Sequence, residues 1–350
     1  MSTVIPLPSA AQDRRPLADR IFRIALAVNL ALTVLGLVAV FTGYGVGLAG
    51  KFEFTIGTAW RLVFAIGFFN LFWALVWYGI KNLLLRFFVG MNRDNRRKVF
   101  SSRMAEPFNL PDLLNRYSER RIRIADMIGR RGRFITLAAA MFFYFYADIA
   151  ANHTTTFATA YSQQIVLDAA IVCWLFLAFY YSNGFIAATL FGGQTRIMDG
   201  TLARANFMLI LTLWGLFKFT FVPIGAQLQT LYAPQHFVVL FSLIWGTYLV
   251  VDTLAEVGGS LYGAQKIPVR GIGDVNRKSV GGTVTGLVGG LVFSVGIVLL
   301  NELPAMFVVL AVAVSVASSA LELLSPRGTD DYTMATGNAL ICWAFGAWVL

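Results

Sequence analysis

Asp252 and Glu256 stand four residues apart near the end of an apolar run. At helical spacing two such carboxylates share one face. Charge this close to a membrane is costly unless something positive compensates it, and a divalent cation is the usual partner for paired carboxylates that face phosphates. Gly258, Gly259 and Gly263 follow, and then Lys278 and Ser279 stand just before Gly281, Gly282 and Thr283 at the start of the next apolar run. A lysine ahead of a glycine-rich helix start suits phosphate, because a point charge, free backbone N–H groups and the positive helix end meet there. The same residues also fit a plainer role, with the glycines packing helices and the lysine setting topology. A second acidic group, Glu-Leu-Leu-Ser-Pro-Arg-Gly-Thr-Asp-Asp from Glu322 to Asp331, shifts the balance. One Asp would suffice to cap a helix, whereas Asp330, Asp331 and Glu322 exceed that need. The expectation is that Asp252, Glu256, Asp330 and Asp331 converge on one metal ion. Lys278, Ser279 and the glycines would then hold phosphates, and Lys266 would add charge. Neither the Walker A spacing nor the protein-kinase signature set is present.

The elements that must position these residues are membrane spans. The chain of 350 residues is 57% hydrophobic and 13% charged, against about 25% charged in soluble domains, and its mean hydropathy is +0.68. This predicts an all-α, polytopic helical bundle. About nine apolar runs are long enough to cross a bilayer, at roughly 21–43, 58–80, 134–151, 165–190, 205–225, 236–257, 281–300, 303–324 and 333–350. With the N-terminus in the cytoplasm, all but three of the 28 Lys and Arg residues (Lys51, Arg61 and Lys218) fall on the inner side, as the positive-inside rule requires. The C-terminus is then external, both acidic groups face the cytoplasm, and the net charge of +10 needs no nucleic-acid partner to explain it.

Residues 91–133 form the one long loop. Arg93, Arg96, Arg97, Lys98, Arg103, Arg116, Arg120, Arg121, Arg123, Arg130, Arg131 and Arg133 alternate there with Leu110, Leu113, Leu114, Tyr117, Ile124, Met127 and Ile128. That pattern predicts a basic amphipathic helix on anionic headgroups; a sharper reading is that it gathers a lipid substrate or gates its entry. Asp148, Asp168 and Lys218 share a depth near the outer face and are read as a structural ion group. His153 and His236 are isolated, and Cys173 and Cys342 lack metal-ligand spacing.

Asp252, Ala255, Glu256, Gly259, Tyr262-Gly263, Lys266-Ile267-Pro268, Lys278-Ser279 and Gly282-Thr283, followed by Glu322, Pro326 and Asp330-Asp331, resemble the CTP-dependent membrane lipid kinases: phytol kinase, dolichol kinase and the yeast-type diacylglycerol kinase. Val251 stands where that family has a glycine, and Tyr332 where it has an asparagine. CDP-diacylglycerol synthase is similar in the first block, but its second block carries a histidine that is missing here. The resemblance covers roughly 134–350, so residues 1–133, two spans and the basic loop, form an extension to a seven-span catalytic domain. It implies transfer of a phosphate from CTP to a membrane lipid alcohol with Mg2+. The implied catalytic residues are Asp252, Glu256, Asp331 and Lys278. Lys266, Lys278, Ser279, Gly281, Gly282 and Thr283 would bind the nucleotide. A phosphatidate cytidylyltransferase-like enzyme and a non-enzymatic membrane protein or transporter are the alternatives.

Overall fold

The computed structural model describes residues 15–42, 73–100, 110–132, 135–136, 196–270, 275–326 and 328–350. All of the expected span 134–151 but residues 135–136, the span 165–190, most of 58–80, and Asp148, Asp168, His153, Cys173, Arg103 and Arg133 lie outside them, as does the side chain of Lys218.

Helices account for 86% of the described residues. In chain order they are α1 (Arg15–Thr42), α2 (Trp73–Leu83, prolonged by a π turn at Leu84–Phe88), α3 (Arg93–Phe100), α4 (Leu110–Arg116), α5 (119–132) and α6 (Ala203–Leu231). After these come α7 (Phe237–Tyr262), α8 (Val280–Leu300), α9 (Ala305–Leu324) and α10 (Asp330–Trp348). Among the described residues α7, α8 and α9 are long and apolar enough to cross a membrane. The 26 residues of α7 reach about 39 Å at 1.5 Å per residue, more than the roughly 30 Å of a hydrocarbon core. Its last turns, with Asp252 and Glu256, can therefore sit at the edge of the apolar layer.

Two features depart from the expected pattern. The apolar run expected to end near 257 continues as helix to Tyr262, through Gly258 and Gly259. Glycine disfavours a helix on its own, but here it lets two helices touch. A Cβ on Gly282 of α8 would lie 2.5 Å from the Ala255 carbonyl oxygen, and one on Gly286 would lie 2.8 Å from that of Val251. Small residues are how helices approach closely within a bilayer. The segment between α7 and α8 is also not a plain loop. It is an antiparallel hairpin, β1 (Lys266–Arg270) and β2 (Val275–Ser279), with Ile267 opposite Lys278 and Lys266 opposite Ser279. The all-helical expectation does not include it. A two-stranded ribbon has free edges, which is where Pro268 can be accommodated.

The main core is aromatic and aliphatic, with Phe217, Phe221, Tyr248, Val251, Phe307, Leu310 and Met334 buried between α6, α7, α9 and α10. Several polar side chains pair across it. Ser294 on α8 and Ser315 on α9 lie 2.6 Å apart. Ser318 donates to Asn338 Oδ1 at 2.8 Å, and Asn338 Nδ2 donates to the Ile244 carbonyl at 3.2 Å. Ile244 belongs to a π turn, Ser242–Gly246. A π turn alters the helical hydrogen-bond ladder, and a carbonyl released inside an apolar bundle needs a partner; Asn338 supplies one.

The basic loop folds on protein. Leu85, Val99, Phe100, Leu113, Ile122, Ala125 and Ile197 enclose a second core. Lys81 and Asp126, both buried, pair at 2.6 Å, and Asp126 also accepts from the Ile197 N–H at 3.0 Å. Part of the apolar stripe expected to meet lipid therefore meets α2, α3, α4 and the segment before α6, while Ile128 remains exposed. The N-terminal segment is not set apart either: Ala18, Phe22 and Ala25 of α1 pack against Ala205 and Met208 of α6.

Candidate functional site

Asp252 and Glu256 do share one face of α7, and the chain brings Asp330 to it. Pro326 and Gly328 turn the chain between α9 and α10, and Gly328 takes φ +82°, a conformation that favours glycine. The turn is pinned by the Thr329 N–H on the Pro326 carbonyl at 3.0 Å and by the contact of the Ser325 and Thr333 hydroxyls at 2.5 Å. It sets Asp330 and Asp331 in the first turn of α10, where negative charge meets the positive helix end. Among the described residues, carboxylate oxygens of Asp252, Glu322 and Asp330 lie within 4.8 Å of one another. Two of these three are in the metal set expected from sequence. Glu322, which the sequence groups with Asp330 and Asp331 but leaves out of the expected metal set, takes the third place, because it lies at the end of α9 where that helix meets the hairpin. Asp331 and Glu256 lie outside this trio.

Lys278 reaches the trio from β2. Its ammonium donates to Glu322 Oε1 at 2.5 Å and to Asp330 Oδ2 at 3.2 Å. Burial alone would lower its pKa, but Asp330 and Glu322 outweigh burial and hold it above the ordinary lysine value. Asp330 behaves conversely: burial would raise it, and Lys278 and Arg196 bring it below the usual carboxylate value.

The next residue, Ser279, caps α8. Its hydroxyl accepts from the Gly282 N–H at 3.1 Å, and its carbonyl accepts from the Thr283 hydroxyl at 3.2 Å. Gly281 lies close to Tyr262 at the end of α7, where a Cβ would come within 3.0 Å of the Tyr262 carbonyl oxygen. In this conformation Ser279, Gly281, Gly282 and Thr283 are engaged in capping and close packing, the plainer of the two roles open to them. Lys266 is exposed on β1.

Arginines are the feature that motif reading misses. Arg131 engages both carboxylates of α7, donating from Nη2 to Asp252 Oδ1 at 2.8 Å, from Nη1 to Asp252 Oδ2, and from Nε to Glu256 Oε2. Arg130 donates to Glu256 Oε1, and Arg196 approaches the same oxygen at 3.4 Å. Burial opposes the charge of Arg131, but Asp252 and Glu256 overcome it and raise its pKa well above the usual value. Glu256 does the same for Arg196. In the sequence Arg130 and Arg131 are two bases of the loop among many, and Arg196 is a topology charge. The available signal is the adjacent Arg-Arg pair ending an amphipathic stretch, one turn after Asp126, in a predominantly basic segment. Around the site, Asp252, Glu256, Glu322 and Asp330 face Arg130, Arg131, Arg196 and Lys278.

Compared with protein-family models, curated proteins and solved structures, the chain matches none.

Proposed function

We propose that this is an integral membrane phosphotransferase that moves a phosphate from CTP to the hydroxyl of a lipid alcohol, at a site on the cytoplasmic face of a bundle of about nine spans. One observation carries the reading. Carboxylates from three apolar helices, Asp252 in the second half of α7, Glu322 near the end of α9 and Asp330 at the start of α10, meet a lysine delivered by a hairpin. Phosphoryl transfer asks a protein for positioning and charge neutralisation more than for covalent chemistry, and these residues offer both. The choice of CTP and of a lipid acceptor comes from the sequence resemblance, as does Mg2+.

The donor set suits a hard divalent cation, which takes oxygen ligands. Asp252, Glu322 and Asp330 would hold it, and it would neutralise developing charge on the phosphates. Lys278, fully charged through the neutral range, would place a point charge on the transferred group. The apolar walls of α7, α8 and α9 would bring the acceptor hydroxyl in from the side and keep water away. Asp331 follows Asp330 in the first turn of α10.

The test is the purified protein in nanodiscs with CTP, Mg2+ and a panel of prenols and diacylglycerol. Expected products are CDP and a phospholipid, with Asp252→Asn and Lys278→Ala each lowering turnover at least about a hundredfold. CDP-lipid and pyrophosphate would instead identify a cytidylyltransferase. Absence of turnover, with CTP binding unaffected by either substitution, would sink the enzyme reading.

A transporter is the second reading, and the buried polar pairs favour it. Ser294, Ser315, Ser318 and Asn338 place polar groups well inside α8, α9 and α10 beside a π turn, and transporters keep such breaks near mid-membrane. Substrate-dependent ion flux in proteoliposomes, lost in Asn338→Leu, would support it over the kinase.

A further inference from the structure

Asp252 belongs to two groups at once. Arg131 holds both of its oxygens, yet one carboxylate oxygen is also within 4.8 Å of Glu322 and Asp330 oxygens. A carboxylate chelated by a guanidinium makes a poor cation ligand, because its lone pairs face N–H donors and a positive charge already stands beside it. A cation at the trio therefore requires another partner for Arg131. Arg130 and Arg196 gather on the same side, at Glu256. Guanidinium groups bind phosphate as readily as carboxylate, in the same bidentate manner.

We infer that Arg130, Arg131 and Arg196 form the anion-binding half of this site: they take the phosphate groups of a polyphosphate or a phosphorylated lipid, and moving onto phosphate they release Asp252 to a divalent cation. The use made of the bound phosphate rests on the phosphotransferase reading, whereas the binding itself rests on the arginine cluster. The three guanidiniums share one frame. Asp126 on α5 pairs with Lys81 of α2 at 2.6 Å and accepts the N–H of Ile197, the neighbour of Arg196, at 3.0 Å. Gly129 lets α5 lie against the Lys81 stem, where a Cβ would come within 2.7 Å of Lys81 Cβ. With the backbone so tied, the exchange is a reorientation of side chains rather than a departure of α5. Linkage makes the coupling reciprocal, so phosphate tightens the cation by the same factor as the cation tightens phosphate.

The experiment is calorimetric titration of the full-length protein in nanodiscs with pyrophosphate, and with Mn2+ as a reporter for a hard divalent cation. The wild type is expected to bind pyrophosphate and to bind Mn2+ more tightly in its presence. Arg131→Lys, which keeps the charge but loses the fork, and Arg196→Gln should each weaken pyrophosphate by about tenfold or more, the scale of a charged hydrogen bond. Arg20→Gln, at an exposed position on α1, should change nothing. Arg196 is the guard against misfolding, since its side chain is 34% exposed and its contact with Glu256 is long at 3.4 Å. Displacement of pyrophosphate by CTP assigns the anion to a nucleotide, and displacement by phosphatidic acid in the disc assigns it to a lipid. Displacement by neither overturns the inference. So does pyrophosphate affinity equal in wild type and both variants, or Mn2+ affinity indifferent to pyrophosphate. Arginine-dependent pyrophosphate binding without phosphate transfer would leave this inference standing and remove the kinase. Phosphate transfer with variant-insensitive anion binding would do the reverse.

Discussion

Arg131 donates to the buried Asp252 and the half-buried Glu256, and removing it takes from Asp252 the arginine that holds it and from Glu256 one of three. Breaking one side of a buried ion pair costs about 3–5 kcal/mol, while removing both partners is often close to neutral. Arg131→Ala should therefore lower the thermal unfolding midpoint in detergent sharply, and Arg131→Leu with Asp252→Leu should recover part of the loss, since Glu256 keeps Arg130 and Arg196. Acid stability reads the other ion group. Asp330 has a folded pKa below its ordinary 3.8. A depressed folded value means that its pairing with Lys278 contributes fully above about pH 4 and is lost as pH falls through the lower folded value. Lys278, raised from 10.5, contributes below that value and loses its share only as pH rises through the folded one. Stability from this pair should stay flat between about pH 4.5 and about pH 10. Asp330→Asn should flatten the acid limb in a pH series of unfolded fraction. At this scale the sequence points to Asp252, Lys278 and Asp330, because acids and a lysine beside apolar runs are conspicuous. It cannot pair them, since Arg131 and Asp252 are far apart along the chain and nothing local links them.

The helices differ in how openly their partners are written. The glycines of α8 fall at Gly282, Gly286 and Gly290, all buried, and that spacing marks a contact face. Gly286→Leu should force α7 and α8 apart at the Val251 carbonyl and cost about 1–3 kcal/mol or more. Gly296, where an added Cβ would find nothing within 4 Å, should accept alanine within about 0.5 kcal/mol; chemical unfolding in mixed micelles compares the two. The same glycines are legible in sequence as either packing or phosphate contacts, and only the facing helix distinguishes these uses in the present conformation. Helix α5 shows the opposite limit. Its basic, amphipathic pattern says that an apolar face is covered, but lipid and protein cover such a face equally well. Ile122 and Ala125 turn out to be enclosed by protein, while Arg93, Arg97, Lys98, Arg116, Arg120 and Arg121 remain exposed and available to anionic headgroups.

For the molecule as a whole, the distribution of positive charge sets the expected orientation, with the hairpin and the α9–α10 turn on the cytoplasmic side. P268C, at an exposed position on β1, in a background lacking Cys173 and Cys342, should react with a membrane-impermeant maleimide in inside-out vesicles and be protected in right-side-out ones. The reverse pattern would place the site outside, away from cytoplasmic nucleotide. The extension and the remainder of the chain also interlock. Thr212 on α6 donates to the Ala25 carbonyl of α1 at 2.9 Å, and α5 reaches α7 through its arginines, so residues before 133 take part in the site.

Composition and apolar runs by themselves determined that the chain is helical and has the character of a membrane protein, because a bilayer imposes its length and polarity on each span separately. They also placed the acid pair of α10 and the lysine before α8 at helix ends, and the acids of α7 late in an apolar run, since local polarity marks those positions. Tertiary structure alone decided which charges meet: Glu322 with Lys278, and Arg131 with Asp252 and Glu256. Ion pairing across a bundle depends on helix rotation and on the path of the hairpin, and these are set by close packing between faces distant in sequence, such as Gly286 against Val251.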